Sequence, residues 1–289
     1  MSTESRLLPV VAITGSSIMV GCSGYSGSCG SYGSYGSYGS YGALAAAGAH
    51  THRAARPRSA NATSVTGSYA GCAAPNLGAD GIYEGTLTDQ ATRQVTPVVA
   101  IIADNGDGRI SGQDGTYYRL TVATSGYNVS GDFSGYSQGV TFPNGRQSTA
   151  GSLSAQITAS GLNGTLTDQA GDVEVLSLNF DNAYTLGSAL PALAGAWHYA
   201  ANGFSLTATI NADGTFSATD SNACTYTGSF GLIDSNFNAY SESYIRLCNG
   251  NSLVFAGLAS YFPTSGNAPA EIEMRADDGA GDYLVADLK

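Results

Sequence analysis

From about residue 80 onward, short apolar runs alternate with polar positions and are interrupted by Gly, Asn and Asp. In Phe204–Ile210, apolar side chains occupy every second position and hydroxyl side chains occupy all the positions between them. A period of two is typical of half-buried antiparallel strands. Runs of this kind are Val98–Ile102, Arg119–Ala123, Tyr127–Phe133, Leu153–Ile157, Val173–Phe180, Phe204–Ile210, Leu253–Ala259 and Tyr283–Leu288. The pattern predicts an all-β fold, with small antiparallel barrels or sandwiches.

The apolar pattern also repeats along the chain. Gly81-Ile-Tyr83 and Gly195-Ala-Trp197 each precede a strand, a turn and further Tyr-containing strands. This repetition predicts two β-domains, at residues 79–190 and 191–289. Units that open with Gly-x-Tyr or Gly-x-Trp resemble lipocalin-like barrels, and the resemblance implies an antiparallel meander closed on itself, which removes exposed strand edges.

Two local motifs support the repeat. Asp107-Gly108 and Asp213-Gly214 lie between apolar strands, and Asp-Gly is a strong hairpin signal because both residues tolerate positive φ. Within the first unit, the Gly-Thr-Leu-Thr-Asp-Gln segment at Gly85–Gln90 recurs at Gly164–Gln169. We expect each motif to occupy the same structural position in its repeat.

The N-terminus carries an export-like segment. The apolar run Leu7–Val20 follows Arg6 and is shorter than the roughly 20 residues that a membrane-spanning helix needs. It has the length of the apolar part of a secretory signal. Its end, Ile18–Cys22, resembles the lipobox of bacterial lipoproteins. The resemblance implies that residues 1–21 are a signal peptide and that Cys22 is lipidated, which makes the membrane a partner through that anchor.

Residues 22–78 are rich in Gly, Ser and Tyr and include four Ser-Tyr-Gly triplets at 31–42. Such composition predicts a disordered linker. The order of anchor, Gly-rich linker and two β-domains resembles two-barrel surface lipoproteins of Gram-negative bacteria, such as factor H-binding and transferrin-binding proteins. The resemblance implies a place at the outer membrane or cell surface. Without lipidation, we expect a secreted or periplasmic protein.

The chain has five cysteines. Cys224 and Cys248 lie in strands that a hairpin around Ser235–Asn238 would bring together, so we predict a disulfide between them. Cys29 and Cys72 fall in the linker, where their pairing stays open. Disulfides suit an oxidising compartment outside the cytosol.

Charge excludes one class of partner. The net charge is −11, and Lys289 is the only lysine. Nucleic-acid binding needs a cationic face, so we expect no such partner. We also expect no cofactor and no catalytic residue. The only histidine of the folded part is His198, on a strand without a Gly-x-Ser-x-Gly motif. The carboxylates of Glu271, Glu273 and Asp277-Asp278 are interpreted as solvated surface.

One acidic turn resembles a calcium loop. Asp104–Ser111 contains the Asn-Gly-Asp-Gly-x-Ile core of EF-hand and dockerin loops, which makes Asn105, Asp107 and Asp114 candidate ligands. The first ligand position falls on Ala103, however, and no flanking helix is predicted. A plain hairpin turn is therefore the favoured interpretation, with no metal.

Aromatic residues are the remaining signal. Trp197, Tyr199 and Tyr240 are candidates for a ligand cavity, and the alternative is that they form the core. The combined pattern favours a non-enzymatic binding module of the cell envelope that engages an unknown protein or glycan through its loops. The alternatives are a lipocalin-like carrier of a small apolar ligand and a hydrolase.

Overall fold

A computed structural model of the protein describes residues 78–137 and 147–289. The predicted signal peptide, the lipidation site Cys22 and nearly all of the predicted linker, with Cys29 and Cys72, lie outside these ranges. Within them, the regular elements are sixteen strands and two short 3₁₀ helices, so the predicted all-β fold is confirmed. No helix in the described parts of the chain has the length and apolarity to cross a membrane.

The first eight strands form a closed antiparallel barrel. They are β1 (Gly81–Asp89), β2 (Val95–Ile102), β3 (Asp107–Gly112), β4 (Thr116–Ser125), β5 (Asn128–Ser137), β6 (Ser148–Ile157), β7 (Gly161–Asp168) and β8 (Val173–Asp181). Each strand pairs with the next, and β1 closes the barrel by pairing with β8. Closure leaves this sheet without a free edge.

The last eight strands form a second meander. They are β9 (Gly195–Ala201), β10 (Phe204–Ile210), β11 (Thr215–Asp220), β12 (Thr225–Leu232), β13 (Tyr240–Cys248), β14 (Asn251–Phe262), β15 (Glu271–Asp277) and β16 (Tyr283–Leu288). The ends of this sheet meet at one residue pair: the backbone N–H groups of His198 and Lys289 each donate to the other's carbonyl oxygen at 2.8 Å. The second sheet is therefore barrel-like and is joined at one end of its seam.

The repeated Gly-Thr-Leu-Thr-Asp-Gln segment has the same structural role in both of its copies. A Cβ atom on Gly85 or Gly164 would lie 2.0 or 2.3 Å from a carbonyl oxygen of the adjacent strand, so only glycine fits these close approaches. The fifth residue of each segment is an Asp, Asp89 or Asp168, whose side chain accepts backbone N–H groups of the following turn. The motif thus permits a close approach to the adjacent strand and caps the following turn.

The hairpin repeat is real, but its register differs from the predicted one. Asp107 and Gly108 lie in β3, and the residue with positive φ in the β2–β3 turn is Gly106 (φ 82°). Its counterpart in the β10–β11 turn is Gly214 (φ 85°). The Asn-Gly pair at the first turn therefore corresponds to Asp-Gly at the second, because glycine takes the left-handed position in both turns.

The connection between the barrels is held by a buried amide. The Asn238 side chain donates to the carbonyl oxygens of Ala183 (3.1 Å) and Tyr261 (2.7 Å), and its backbone N–H donates to Tyr184. The Tyr184 ring stacks on Phe237 at 4.9 Å between centroids. All described residues belong to one compact unit, in which the 3₁₀ helices Asn182–Leu186 and Leu190–Leu193 form the link.

Candidate functional site

The two barrels bury charged and polar side chains where their outer faces meet. On β15 the residues Ile272, Met274 and Ala276 face the core of the second barrel. The residues between them face away from that core and are buried as well. We call the resulting group the polar layer. Its members are Arg109, Ser111 and Tyr117 of the first barrel, and Glu271, Glu273, Arg275, Asp277 and Asp287 of the second.

Asp277 connects the barrels at one side of the polar layer. Its Oδ2 accepts a hydrogen bond from the Tyr117 hydroxyl at 3.1 Å and lies 3.3 Å from Arg109 Nε. Arg119 Nη1 lies 3.7 Å from Oδ1. Arg109 also pairs with Asp107 of its own strand. Burial alone would lower the pKa of Arg109, but Tyr117, Asp107 and Asp277 outweigh it and raise that pKa, so the arginine stays charged.

Aromatic rings flank this ion pair. Tyr283 of β16 stacks on Tyr117 of β4, with centroids 4.9 Å apart and planes 9° from parallel. The Tyr283 hydroxyl donates to the carbonyl oxygen of Gly115. Tyr136 and Val285 complete the same cluster. These contacts exclude water from the ion pair and strengthen its electrostatic interaction.

Arg275 occupies the centre of the polar layer. Its Nε donates to Ser111 Oγ of the first barrel at 2.9 Å, and its Nη1 lies 3.0 Å from Glu273 Oε2. Its backbone N–H donates to Glu242 Oε1 at 2.9 Å. Burial raises the pKa of Glu242 to about 8, although that N–H group and the charges of Arg109 and Arg275 oppose the rise. Glu242 is therefore a proton-binding group inside the protein at neutral pH.

Three carboxylates converge at the far side of the polar layer. Glu271, Glu273 and Asp287 each place a carboxylate oxygen within 4.8 Å of the others, and all three residues are buried. Lys289 Nζ lies 3.8 Å from Glu271 Oε1. Burial, followed by the charge of Glu273, raises the pKa of Asp287. In the described part of the chain, these three side chains lie close enough together to share one metal ion.

The structure corrects the interpretation of the β15 carboxylates as solvated surface. Glu271, Glu273 and Asp277 are 4%, 1% and 2% exposed, whereas the neighbouring Asp278 is only partly buried. The alternation of charged and apolar residues on β15 matches a strand with one face in water. Here the first barrel supplies polar partners to that face, and no local signal in the sequence distinguishes the two cases.

Of the three aromatic candidates for ligand binding, none lines an open cavity. Trp197 is buried and donates to the Leu193 carbonyl oxygen at 2.8 Å. Tyr199 packs in the core against Phe204. The Tyr240 hydroxyl accepts the Ala189 N–H at 3.0 Å. These contacts support the alternative, that the three rings are part of the core.

The interior of the second barrel is filled by side chains. One cavity in it has a volume of about 10 Å³ and is lined by core residues that include Leu206, Phe216, Tyr226, Tyr244 and Met274. A cavity of that size holds about one water molecule. A small apolar ligand has no room in that cavity.

The candidate calcium ligands are not brought together. Asn105 Oδ1 accepts the Asp107 backbone N–H, and the Asp107 carboxylate pairs with Arg109. Asp114 lies beyond the other end of β3, where it accepts from Thr116. A strand of this length separates its ends by about 20 Å. The three residues therefore perform separate turn and ion-pair roles, as the hairpin interpretation predicts.

His198 lies on the outer face of β9 and is exposed. Its Nδ1 lies 3.3 Å from Thr207 Oγ1, which is a surface contact.

The predicted disulfide is confirmed: Cys224 and Cys248 are bonded, with Cα atoms 4.5 Å apart across the β12–β13 hairpin.

The outer face of β10–β13 is uncharged and rich in hydroxyl groups. Its exposed Ser and Thr residues are Thr207, Thr209, Thr215, Ser217, Thr219, Thr225, Thr227, Ser229, Ser241 and Ser243. At one margin, Ile245 (49% exposed) and Leu247 (47%) of β13 lie next to Val254 (63%) of β14. We call these three residues the apolar patch. Clustered exposed apolar residues mark interaction surfaces.

No family model, curated protein or solved structure matches this chain. The lipoprotein-like layout therefore depends on the N-terminal motif and the order of segments.

Proposed function

We propose that this protein is a lipid-anchored module of the bacterial outer membrane or cell surface that binds a protein or glycan without catalysing a reaction. The anchor is Cys22, and the two-barrel body carries the binding surface. The supporting observation is the apolar patch beside an uncharged hydroxyl face, in a chain whose net charge is −11. Apolar and hydroxyl groups suit a neutral, partly apolar partner surface.

Because the interior of the second barrel is filled, we place the binding surface on the outside of the protein. The second-barrel cavity of about 10 Å³ is too small for a ligand larger than water, which supports binding through surfaces and loops. The apolar patch extends the sequence-based expectation of loop binding to a sheet face. Ile245 and Val254 are directly opposite each other on β13 and β14, so they present one continuous apolar surface.

Site-specific photo-crosslinking of the full chain in intact cells tests the surface. A photoreactive amino acid replaces Val254 in one variant and Val95 in the other; Val95 is 56% exposed on β2 and serves as the matched control. We expect a discrete adduct from position 254 and none from position 95. Binding of the identified partner should then weaken in Val254→Thr. Equal adducts from both positions, or none, would refute the binding surface.

The anchor is tested separately. We expect the intact mass of the membrane-associated protein to begin at Cys22 and to include acyl chains, because a lipobox cysteine becomes the first residue of a mature lipoprotein. Cys22→Ser should leave the membrane fraction, whereas the control Cys29→Ser should stay in it. An unmodified mature chain that begins at another residue would reject the lipoprotein part of the proposal.

A further inference from the structure

Glu273 and Asp287 are an unusual cross-strand pair. They lie directly opposite each other on β15 and β16, and both are buried at 1% and 8% exposure. Like charges directly opposite each other destabilise a sheet. Glu271 lies two residues before Glu273 on the same face, so three carboxylates share one small buried region. Such a group calls for a compensating cation.

Asp287 is the member that points most clearly to a ligand. Among the described residues its Oδ1 has no hydrogen-bond partner, although the side chain is more than nine-tenths buried. The same carboxylate has an oxygen within 4.8 Å of oxygens from Glu271 and Glu273, so it is directed into the cluster. A buried carboxylate without a partner is costly, and an ion at this point would remove that cost.

Two cations of the described chain lie at this group. Arg275 contacts Glu273, but its guanidinium is also engaged by Ser111 of the first barrel. Lys289 Nζ is 3.8 Å from Glu271 Oε1, and the lysine side chain is 52% exposed. The lysine is therefore a loosely held counter-ion that can move into solvent without breaking a buried contact.

We propose that Glu271, Glu273 and Asp287 form a Ca²⁺ site in which the ion replaces the Lys289 ammonium group. The donor set consists of carboxylate oxygens, which hard divalent cations prefer. Ca²⁺ binds oxygens at about 2.3–2.6 Å, so oxygens up to about 5 Å apart can share one ion, whereas Mg²⁺ requires a tighter octahedron. The site ties β15 to β16 beside the His198–Lys289 pair, where the second sheet closes on β9.

Calcium titration of the full chain in detergent, after treatment with a chelator, tests the site. We expect calorimetry to show one Ca²⁺ per chain, with a dissociation constant of about 10⁻⁴ to 10⁻³ M, the range of extracellular calcium modules. Saturating CaCl₂ should raise the midpoint of thermal unfolding. Asp287→Asn should abolish both effects. The control Asp213→Asn, in an exposed turn of the same barrel, should retain both.

A second variant is expected to change the Ca²⁺ affinity in the direction opposite to Asp287→Asn. Because the ion competes with Lys289, Lys289→Met should tighten Ca²⁺ binding several-fold, and it alters a side chain that is 52% exposed. If circular dichroism shows that Asp287→Asn is unfolded, the Lys289→Met variant tests the Ca²⁺ site in its place. The proposal is overturned by an absence of binding, by binding that survives in folded Asp287→Asn, by an equal response to MgCl₂, or by unchanged or weaker binding in Lys289→Met.

Discussion

Replacing Asp277 with alanine tests whether the polar layer makes the two barrels one cooperative unit. The substitution removes the 3.3 Å contact with Arg109 and the hydrogen bond from Tyr117, both of which cross between the barrels. Arg109 would remain buried, with only Asp107 of its own strand as a carboxylate partner. The stacked Tyr283 ring would stay in place and keep water away from the uncompensated charge.

The magnitude follows from burial. Removing one member of a buried ion pair costs about 3–5 kcal/mol, because the other charge is left uncompensated. Asp107 still neutralises part of the Arg109 charge, so we expect the lower end, about 3 kcal/mol. Asp282→Ala is the matched control, because Asp282 forms a 2.9 Å pair with Arg246 beside the same hairpin but is half exposed. A surface pair of this kind contributes at most about 1 kcal/mol.

Urea unfolding of the full chain, followed by tyrosine fluorescence and circular dichroism, measures both free energies of unfolding. The double variant Arg109→Met/Asp277→Ala should recover much of the loss, because it leaves no unpaired buried charge. Equal losses in Asp277→Ala and Asp282→Ala would refute the reasoning. The reasoning would also be refuted if the double variant lost more free energy of unfolding than the sum of the losses in its two single variants.

Two further predictions concern the barrels separately. Cys224→Ala/Cys248→Ala should lower the free energy of unfolding by about 3.5 kcal/mol, from the loop entropy of a 24-residue separation, and a reductant should destabilise the parent but not the variant in urea titrations. Burial raises the pKa of Glu174, which accepts from Tyr118, to about 6. The native state therefore holds this proton more tightly than the unfolded chain, and stability should fall as pH rises from 4.5 to about 6 and then level off, a cost of about 2 kcal/mol. Glu174→Gln should remove that part of the decline in thermal unfolding followed between pH 4 and 8, and an unchanged pH profile would contradict the assignment.

Local signals were sufficient for the strands. Alternation in Phe204–Ile210 predicted a half-buried strand, and the structure has β10 over those residues. The pairing of Cys224 with Cys248 also followed from the chain, because a hairpin with a short loop places its flanking residues opposite each other. The turn register was harder: Asp107-Gly108 matched the hairpin signal, but Asn105-Gly106 supplies the turn.

Only the tertiary structure decided whether the outward face of β15 is buried or exposed to solvent. Glu273, Arg275 and Asp277 have the outward spacing of solvated residues, and their partners lie far away in sequence. Tyr117 is 160 residues from Asp277, and Ser111 is 164 residues from Arg275. An alternation with a period of two shows which side of a strand is polar. Water and a polar protein surface can both satisfy the hydrogen-bonding groups of that side, so the alternation does not distinguish them. Strand identity is thus encoded locally, whereas the buried polar layer exists because two barrels present matching charges at one interface.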